Sequence, residues 1–501
     1  MKNIIQLGGV IIWAIILTGC SIKEKQDYTK GVIIQTSEAG DKLAEKDTIE
    51  FSEKNPAGIP VIQINPNEKF QQIIGFGGSF TGSSAYVLSQ LSKEKRDEVI
   101  RAYFSSSGAD YSLMRSQIGG SDFSVNSYAY DNTPGDKDLH DFSIKEDMNY
   151  LIPLIKDAQK VSKDGFKIIA SPWTAPRWMK DNNAWYGGSL KPEYYNTWAL
   201  YISKYIKTYE KLGIPIWGIT PENEPLGNDA HWDSMIFTPE QMLQLIKNNL
   251  GPQFEKDKLN TKILIYDQNR DEVKEWTDVI LSDSAAAKYI WGTAVHWYSS
   301  TISWYPEILN EIHEKFPGKQ IIHTEGCIDN DVPVWKDDKW YWSKLATDWG
   351  YEWASEKDKP LHPMYKPVFR YARDIIGGLN SWFAGWIDWN IVLNEKGGPN
   401  HANNWAIAPV IAKPETGEVY YTPLFYTLCH FSKYIRPGAY RIWVKSGIQE
   451  LMVTACLNPD KSIAVEIFNP TEKSFPYIIN LDNRILQYSI GKNSLQTVII
   501  N

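Results

Sequence analysis

The sequence predicts an α/β protein, a (β/α)8 barrel with an attached all-β sandwich domain formed from both chain ends. Three observations carry this. Eight short apolar runs recur between Gln71 and Asn390, separated by stretches of helical periodicity, the pattern of parallel strands joined by helices. Beyond Tyr426 the helical stretches stop, and short strands follow one another between Gly, Asn, Asp and Pro, as in a sandwich. Strand-like segments before residue 71 have no place in a barrel and are assigned to the sandwich. An open doubly wound sheet is the alternative to the barrel, but "GFGGSF" (75–80) lacks the glycine spacing that a dinucleotide site places after its first strand.

Taken in order, the chain opens with Lys2 and a largely apolar run from Ile4 to Leu17. That run is short for a membrane span and has the proportions of a signal peptide. Leu17-Thr18-Gly19-Cys20 resembles a bacterial lipobox. It predicts a lipoprotein signal peptide over 1–19, lipid on Cys20, and a place on the bacterial cell envelope with membrane contact through that anchor only. Ordinary secretion with an incidental cysteine is the alternative. The polar stretch that follows has no apolar period, so 20–46 reads as a flexible tether. "TIEFSEK" and "PVIQINP" alternate as strands do, which gives 47–70 to the sandwich.

The barrel is placed at 71–426. Its strands are read from "QQIIGFGGSF", "YSLMRSQIGG", "FKIIASPW", "IPIWGITPENEP", "KILIYDQN", "YIWGTAVHWY", "KQIIHTEG" and "SWFAGWIDWN". The clearest helix between them runs from Glu193 to Lys211, with Trp198, Tyr201, Ile202, Tyr205, Ile206 and Tyr209 at helical spacing. "YRIWVKS", "LMVTACLN", "SIAVEIFN", "PYIINLD", "ILQYSI" and "LQTVII" complete the sandwich over 427–501.

Composition narrows the function. A chain of 501 residues, 43% hydrophobic and 22% charged, can bury a large core. A net charge of −8 without a basic stripe gives no general attraction to nucleic acid. The 21 Trp and 28 Tyr stand out; so many large aromatics suit apolar cores, and also flat-faced ligands such as sugar rings. After Cys20 only Cys327, Cys429 and Cys456 remain, without CxxC spacing, so neither a disulfide framework nor a zinc site is expected; at most one bridge can form, and three buried thiols is the preferred reading. No metal and no cofactor is predicted.

In a barrel of this kind the active site forms at the C-terminal ends of the strands. The runs end there on polar and aromatic residues: Arg115 and Asp122 near the second, Trp173, then Asn223 and Glu224, Asp267 and Asn269, His296 to Tyr298, Glu325, and Trp386 to Trp389. Two carboxylates facing each other across such a mouth suit glycosidic cleavage, one donating a proton and the other attacking the anomeric carbon. Glu224 in "GITPENEPLG" and Glu325 in "IIHTEGC" are the candidates. Asn223 suits a hydrogen bond to a sugar hydroxyl such as the 2-OH, and Tyr298 can hold the Glu325 carboxylate. Strict alternation puts Glu222 on the same face as Glu224. The flanking prolines end the strand there, so alternation does not choose between them.

The motifs "SDFS", "LHDFSI", "ASPWTAPRWMK", "PENEP", "AVHWY", "HTEGC", "GWIDWN", "GGPNHANNW" and "HFSKYIRPGAYRI" together resemble glycoside hydrolase family 30, which includes glucosylceramidase and β-1,6-glucanases. The resemblance implies that Glu224 is the general acid/base and Glu325 the nucleophile, with retention of configuration. It implies that Asp122, Trp173, Asn223 and Trp389 bind glucose in the innermost subsite, that Tyr298 stands beside the nucleophile, and that His296, Asn390 and Asn404 are further site-forming positions. Gly82 replaces a usually acidic residue and Gly326 a common alanine. An insertion after the seventh strand, 334–353, holds five tryptophans. A loop mini-core is the reading for most of them, with Trp335 and Trp340 as candidates for a further subsite. The expected substrate is a β-linked glucan, β-1,6-glucan first, because an exported lipoprotein meets polysaccharide before sphingolipid. A glucosylated lipid is the alternative, and a non-catalytic carbohydrate-binding lipoprotein the remote one.

Overall fold

The computed structural model describes residues 28–53, 56–329, 335–344, 356 and 365–501. The expected signal peptide, Cys20 and half of the tryptophan-rich insertion, with Trp349 and Trp353, lie outside the described residues. No helix among the described residues is long and apolar enough to cross a membrane.

Eight parallel strands close into a barrel. In chain order they are Gly75–Gly77 with Ser79–Phe80, Leu113–Ile118, Lys167–Pro172, Gly218–Ile219, Lys262–Asn269, Ile290–His296, Gln320–Glu325 and Phe383–Ile387. The first strand is broken at Gly78: its first half pairs with Phe383–Ile387 and its second with Leu113–Ile118, which closes the ring. Leu113, Ile169, Leu264, Ala294, Ile322, Ala384 and Ile387 plug the interior as one apolar layer, as a barrel of this size requires. The helix Tyr195–Lys211 packs on the outside, and every residue named from its periodicity is buried.

The sandwich is one nine-stranded sheet, in the order Ala44–Glu50, Lys30–Ser37, Ser494–Ile500, Ile463–Asn469, Met452–Leu457, Tyr440–Ser446, Val61–Gln72, Phe475–Leu481 and Arg484–Ile490. Ser52 bridges Ile485, so the two ends of that order meet and the sheet folds over. Ile33, Ile62, Val465, Ile479, Leu486 and Val498 fill the space between its faces.

Two expectations need correction. Residues 28–46 are not a tether. Lys30–Ser37 pairs along its length with Ser494–Ile500 and buries Ile33 and Ile34. Ala44–Glu50 is an edge strand whose charged, exposed side chains carry no apolar signal. The boundary at 426/427 falls inside the helix Pro423–Tyr434, which is buried on nearly all sides and belongs with the barrel.

That helix carries the seam between the domains. The Leu43 N–H donates to Thr36 Oγ1 (3.1 Å), leaving the Thr36 hydroxyl to donate to His430 Nε2 (2.9 Å). On the other side His430 Nδ1 meets Thr497 Oγ1 (2.7 Å), whose proton goes to Glu466 Oε2 (2.6 Å). The chain of donors fixes His430 as the neutral tautomer protonated at Nδ1.

Candidate active site

The strands of the barrel build the site by period two. Leu113 lies in the apolar plug, so Arg115 points into the barrel one layer higher; Ile169 leads likewise to Ser171 and Trp173, and Ala294 to His296. The fifth strand breaks the rule. Tyr266 and Asp267 both have left-handed backbone angles (φ 77° and 65°), and the pairing register with the sixth strand shifts there. This bulge turns Asp267, out of phase with Leu264, into the middle of the barrel.

Asp267 is the electrostatic centre. Its Oδ2 accepts from Arg115 Nη2 (2.6 Å), Thr220 Oγ1 (2.7 Å) and Ser171 Oγ (2.9 Å). Its Oδ1 accepts from Thr324 Oγ1 (2.6 Å) and lies 3.0 Å from His296 Nε2. Burial would raise this carboxyl, but the Arg115 and His296 charges and these donors hold it far below the usual carboxylate range. His296 is fully buried as well. Burial would depress it, yet the Glu325 charge and its bonds to Asp267 and Glu224 outweigh that and push it up to about 9. It is therefore an imidazolium at neutral pH, donating from Nδ1 toward Glu224 Oε1 at 3.2 Å.

The fourth strand is only Gly218–Ile219, and the turn after it is pinned to both neighbours. The Asn223 N–H donates to Pro172 O (2.7 Å) and the Glu224 N–H to Asp267 O (2.9 Å). Glu224 itself is left-handed (φ 48°), an unusual state for a glutamate that the two pins enforce. The twist sends Glu224 into the cleft and Glu222 into the interior. Glu222 is fully buried, neither carboxylate oxygen has a hydrogen-bond partner among the described residues, and burial pushes its carboxyl well above the usual range.

Glu325 ends the seventh strand. The Tyr298 hydroxyl donates to its Oε1 at 2.9 Å, and Arg115 Nη1 contacts its Oε2. Burial raises its carboxyl, with the Glu224 charge acting the same way; His296, Arg115 and Tyr298 oppose the rise. Gly326 follows because nothing larger fits: a Cβ there would come within 2.8 Å of both His323 Nε2 and the Trp297 ring. One carboxylate oxygen each of Glu224 and Glu325 and one His296 nitrogen lie within 4.8 Å of one another. The spacing would suit a metal ion, but both His296 nitrogens are already engaged, by Glu224 Oε1 and Asp267 Oδ1.

A cleft of about 550 Å³ opens above these groups. Asp122, Trp173, Glu224, Tyr298, Glu325, Trp389 and Asn404 line it. Trp173 and Trp389 stack at 5.0 Å to form its floor, with the Arg115 guanidinium 4.8 Å from the Trp173 ring. Asn404 Nδ2 donates to Asp122 Oδ2 (2.9 Å), while Asp122 Oδ1 is buried with no hydrogen-bond partner among the described residues. Burial, with Glu325 nearby, pushes the Asp122 carboxyl well above the usual range.

One predicted substrate contact is placed differently. His296 is fully buried and lies between Glu224 and Asp267, while Asn223, beside Glu224, has its Oδ1 held by Arg115 Nη2 (2.7 Å). Asn390 is also buried, accepting from Thr81 Oγ1 (2.7 Å). Trp335 and Trp340 miss the cleft and pack around Tyr341 and Tyr420 instead, Trp340 and Trp342 in the core. Cys327, Cys429 and Cys456 are buried thiols. Sequence reasoning passed over Asp267 and Arg115 as simple strand endings, and it missed Trp232 and Asn228 on the loop after Glu224 altogether. The only available signal for the first two was that a charge inside a barrel needs a partner.

Comparison with known proteins matches residues 73–348 and 352–435 to the glycosyl hydrolase family 30 TIM-barrel domain. Residues 438–498 match that family's beta sandwich domain. The lysosomal acid glucosylceramidase of Mus musculus is 34% identical over 84% of this chain and 79% of its own. A crystal structure of SrfJ from Salmonella typhimurium superposes with a TM-score of 0.84 at 27% identity, over 94% of this chain and 99% of that one. The endo-beta1,6-glucanase BT3312 does so with a TM-score of 0.80 at 28% identity over the same shares.

Proposed function

The chain belongs to glycosyl hydrolase family 30, and from that premise we propose that it cleaves β-linked glucosides by double displacement, with a β-1,6-glucan as its substrate. The observation that carries the proposal is the pair of carboxylate oxygens within 4.8 Å. Retaining glycosidases hold their two carboxyl groups about 5–5.5 Å apart, whereas inverting ones need roughly 6.5–9.5 Å to admit a water.

In this reading Glu325 attacks the anomeric carbon. Arg115 and the Tyr298 hydroxyl hold it as a carboxylate of fixed orientation. Glu224 gives its proton to the departing oxygen, then takes one from the water that releases the sugar. His296, charged and bonded to Glu224, steadies that residue once it is an anion. Asp122 Oδ1 accepts from a glucose hydroxyl, and the Trp173–Trp389 floor takes the apolar C–H face of the ring.

The likeness to the glucanase supports the polymer. A glycolipid is the second reading, favoured by the higher identity to the glucosylceramidase. Incubation with pustulan (a β-1,6-glucan) and with glucosylceramide, each followed by product sizing, tests both. Sugar released from pustulan alone supports the first reading, and release from the glycolipid alone replaces it with the second. Proton NMR of the first product should show the β-anomer; an α-anomer would remove the double displacement. We place the enzyme on the bacterial envelope through lipid on Cys20, so Cys20→Ser should lose label from an alkynyl fatty acid.

A further inference from the structure

The established family chemistry concerns the glucose whose bond is broken, but the cleft has a second half. We propose that Trp232 is the platform for the leaving group, so that the loop after the fourth barrel strand forms a subsite for a second hexose. This rests on the reading that the substrate is a β-glucan. Glu224 must reach the oxygen between the two sugars, so the departing sugar lies on the Glu224 side of the cleft, beyond the Trp173–Trp389 floor. The cleft wall there comes from the same loop as Glu224, through Gly227, Asn228 and Trp232. Among the described residues, the aromatic side chains lining the cleft apart from the floor cluster are Trp232 and Tyr298. Tyr298 stands beside the nucleophile, bonded to Glu325, whereas Trp232 stands on the Glu224 loop, the side from which a leaving group departs.

Its placement suits a fixed platform. Trp232 is half-buried and packs against the cluster of Phe123, Trp173 and Trp389, so the apolar surface runs on from one sugar's length to the next. The loop around it is tied to three others. Ser234 Oγ donates to Trp232 O (2.9 Å), and the backbone at Asp233 bridges Tyr186 in the third loop. Buried Asp233 meets His401 Nε2 at 2.6 Å, and His401 Nδ1 lies 3.0 Å from Ser124 O in the second loop. His401 stands three residues before Asn404, which holds Asp122. Platform and glucose-binding floor are thus clamped to one another by the Asp233–His401 pair, the kind of preorganisation that lowers the entropic cost of binding a polymer.

The test compares a leaving group that reaches Trp232 with one that cannot. Trp232→Ala should lose at least about tenfold more kcat/KM on a β-1,6-linked glucose trisaccharide than on β-glucosyl fluoride, mostly through KM. Trp232→Phe should restore most of that selectivity, and His401→Gln should reproduce a smaller part of the selective loss. Thermal unfolding checks that each variant folds, with Trp232→Leu measured in place of an alanine variant that does not. Equal losses on both substrates, or no loss on the trisaccharide, overturn the subsite while leaving the hydrolase reading intact. A wild-type enzyme that turns over the fluoride but no β-1,6-glucan overturns the glucan reading and this subsite together.

Discussion

At the mouth of the barrel His296 sits between Glu224 and Asp267, and at the seam with the sandwich His430 sits between Thr36 and Thr497. Both rings are fully buried. Burial alone would make both neutral, and for His430 it does, pushing it down to about 3. Three carboxylates around His296 reverse the outcome and lift it to about 9. The seam offers hydroxyls, and its carboxyl, Glu466, has one oxygen without a hydrogen-bond partner among the described residues and is pushed well above the usual range by the same burial. His430 Nδ1 and Glu466 Oε2 are 4.0 Å apart, close enough for an ion pair. The hydroxyl relay and the orphaned oxygen favour two neutral groups instead. The difference is one of purpose. A neutral relay joins two domains cheaply, whereas concentrated buried charge is costly to fold and is retained where a reaction develops charge.

The largest effect should come from removing a charge at the mouth. Glu325→Gln keeps the size and the Tyr298 contact but removes the nucleophile. Turnover of an aryl β-glucoside should fall by about a thousandfold or more, with thermal unfolding little changed. Azide should rescue Glu325→Gly and give the α-glucosyl azide. Turnover of the Gln variant at the wild-type rate would sink the assignment. Glu224→Ala should keep activity only on substrates with good leaving groups, and an equal loss on all of them would speak against an acid role.

Asp267→Asn should come next, at roughly a hundredfold in kcat/KM, although Asp267 touches no substrate. The amide cannot satisfy every donor that now converges on the carboxylate, and it removes one of the charges that keep His296 protonated. Because the folded His296 value is raised, its stabilising contribution is complete below the unfolded value near 6.5 and is lost as pH rises through about 9. That contribution is about 3 kcal/mol. The His296 ring signals in NMR should therefore titrate near 9 in the wild type and at lower pH in Asp267→Asn. An unmoved titration would show that His296 is held charged by something else.

The sequence is legible where the chain obeys local rules and opaque where tertiary contacts override them. The barrel strands stand out because each is an apolar run, and Glu325 follows from simple position at a strand end. Glu224 against Glu222 is decided by a left-handed turn pinned to Pro172 and Asp267, which no spacing rule contains. Asp267 was hidden for the same reason, since two consecutive left-handed residues invert its expected face. Lys30–Ser37 escaped because its partner strand lies at the far end of the chain, though Val32, Ile33 and Ile34 are an apolar run in plain view.

The smallest effect belongs to the seam, and its sign distinguishes the two pictures of His430. If His430 is neutral in the fold, the unfolded chain takes up a proton below about pH 6.5 that the folded one refuses. Folding then loses about 2 kcal/mol between pH 7 and pH 5 through this residue. Glu466 acts oppositely: its raised value lets the folded chain keep a proton that the unfolded chain releases above its ordinary pKa, so acidification favours folding. The two slopes offset each other in the wild type. His430→Gln should therefore be less acid-sensitive than the wild type by about 2 kcal/mol over that interval, whatever its absolute stability. Glu466→Gln should be more acid-sensitive, with activity near wild type in both. Were the two groups an ion pair, His430 would already hold its proton and the His430→Gln difference would change sign. Urea unfolding of wild type and both variants at pH 5 and pH 7 reads that sign directly.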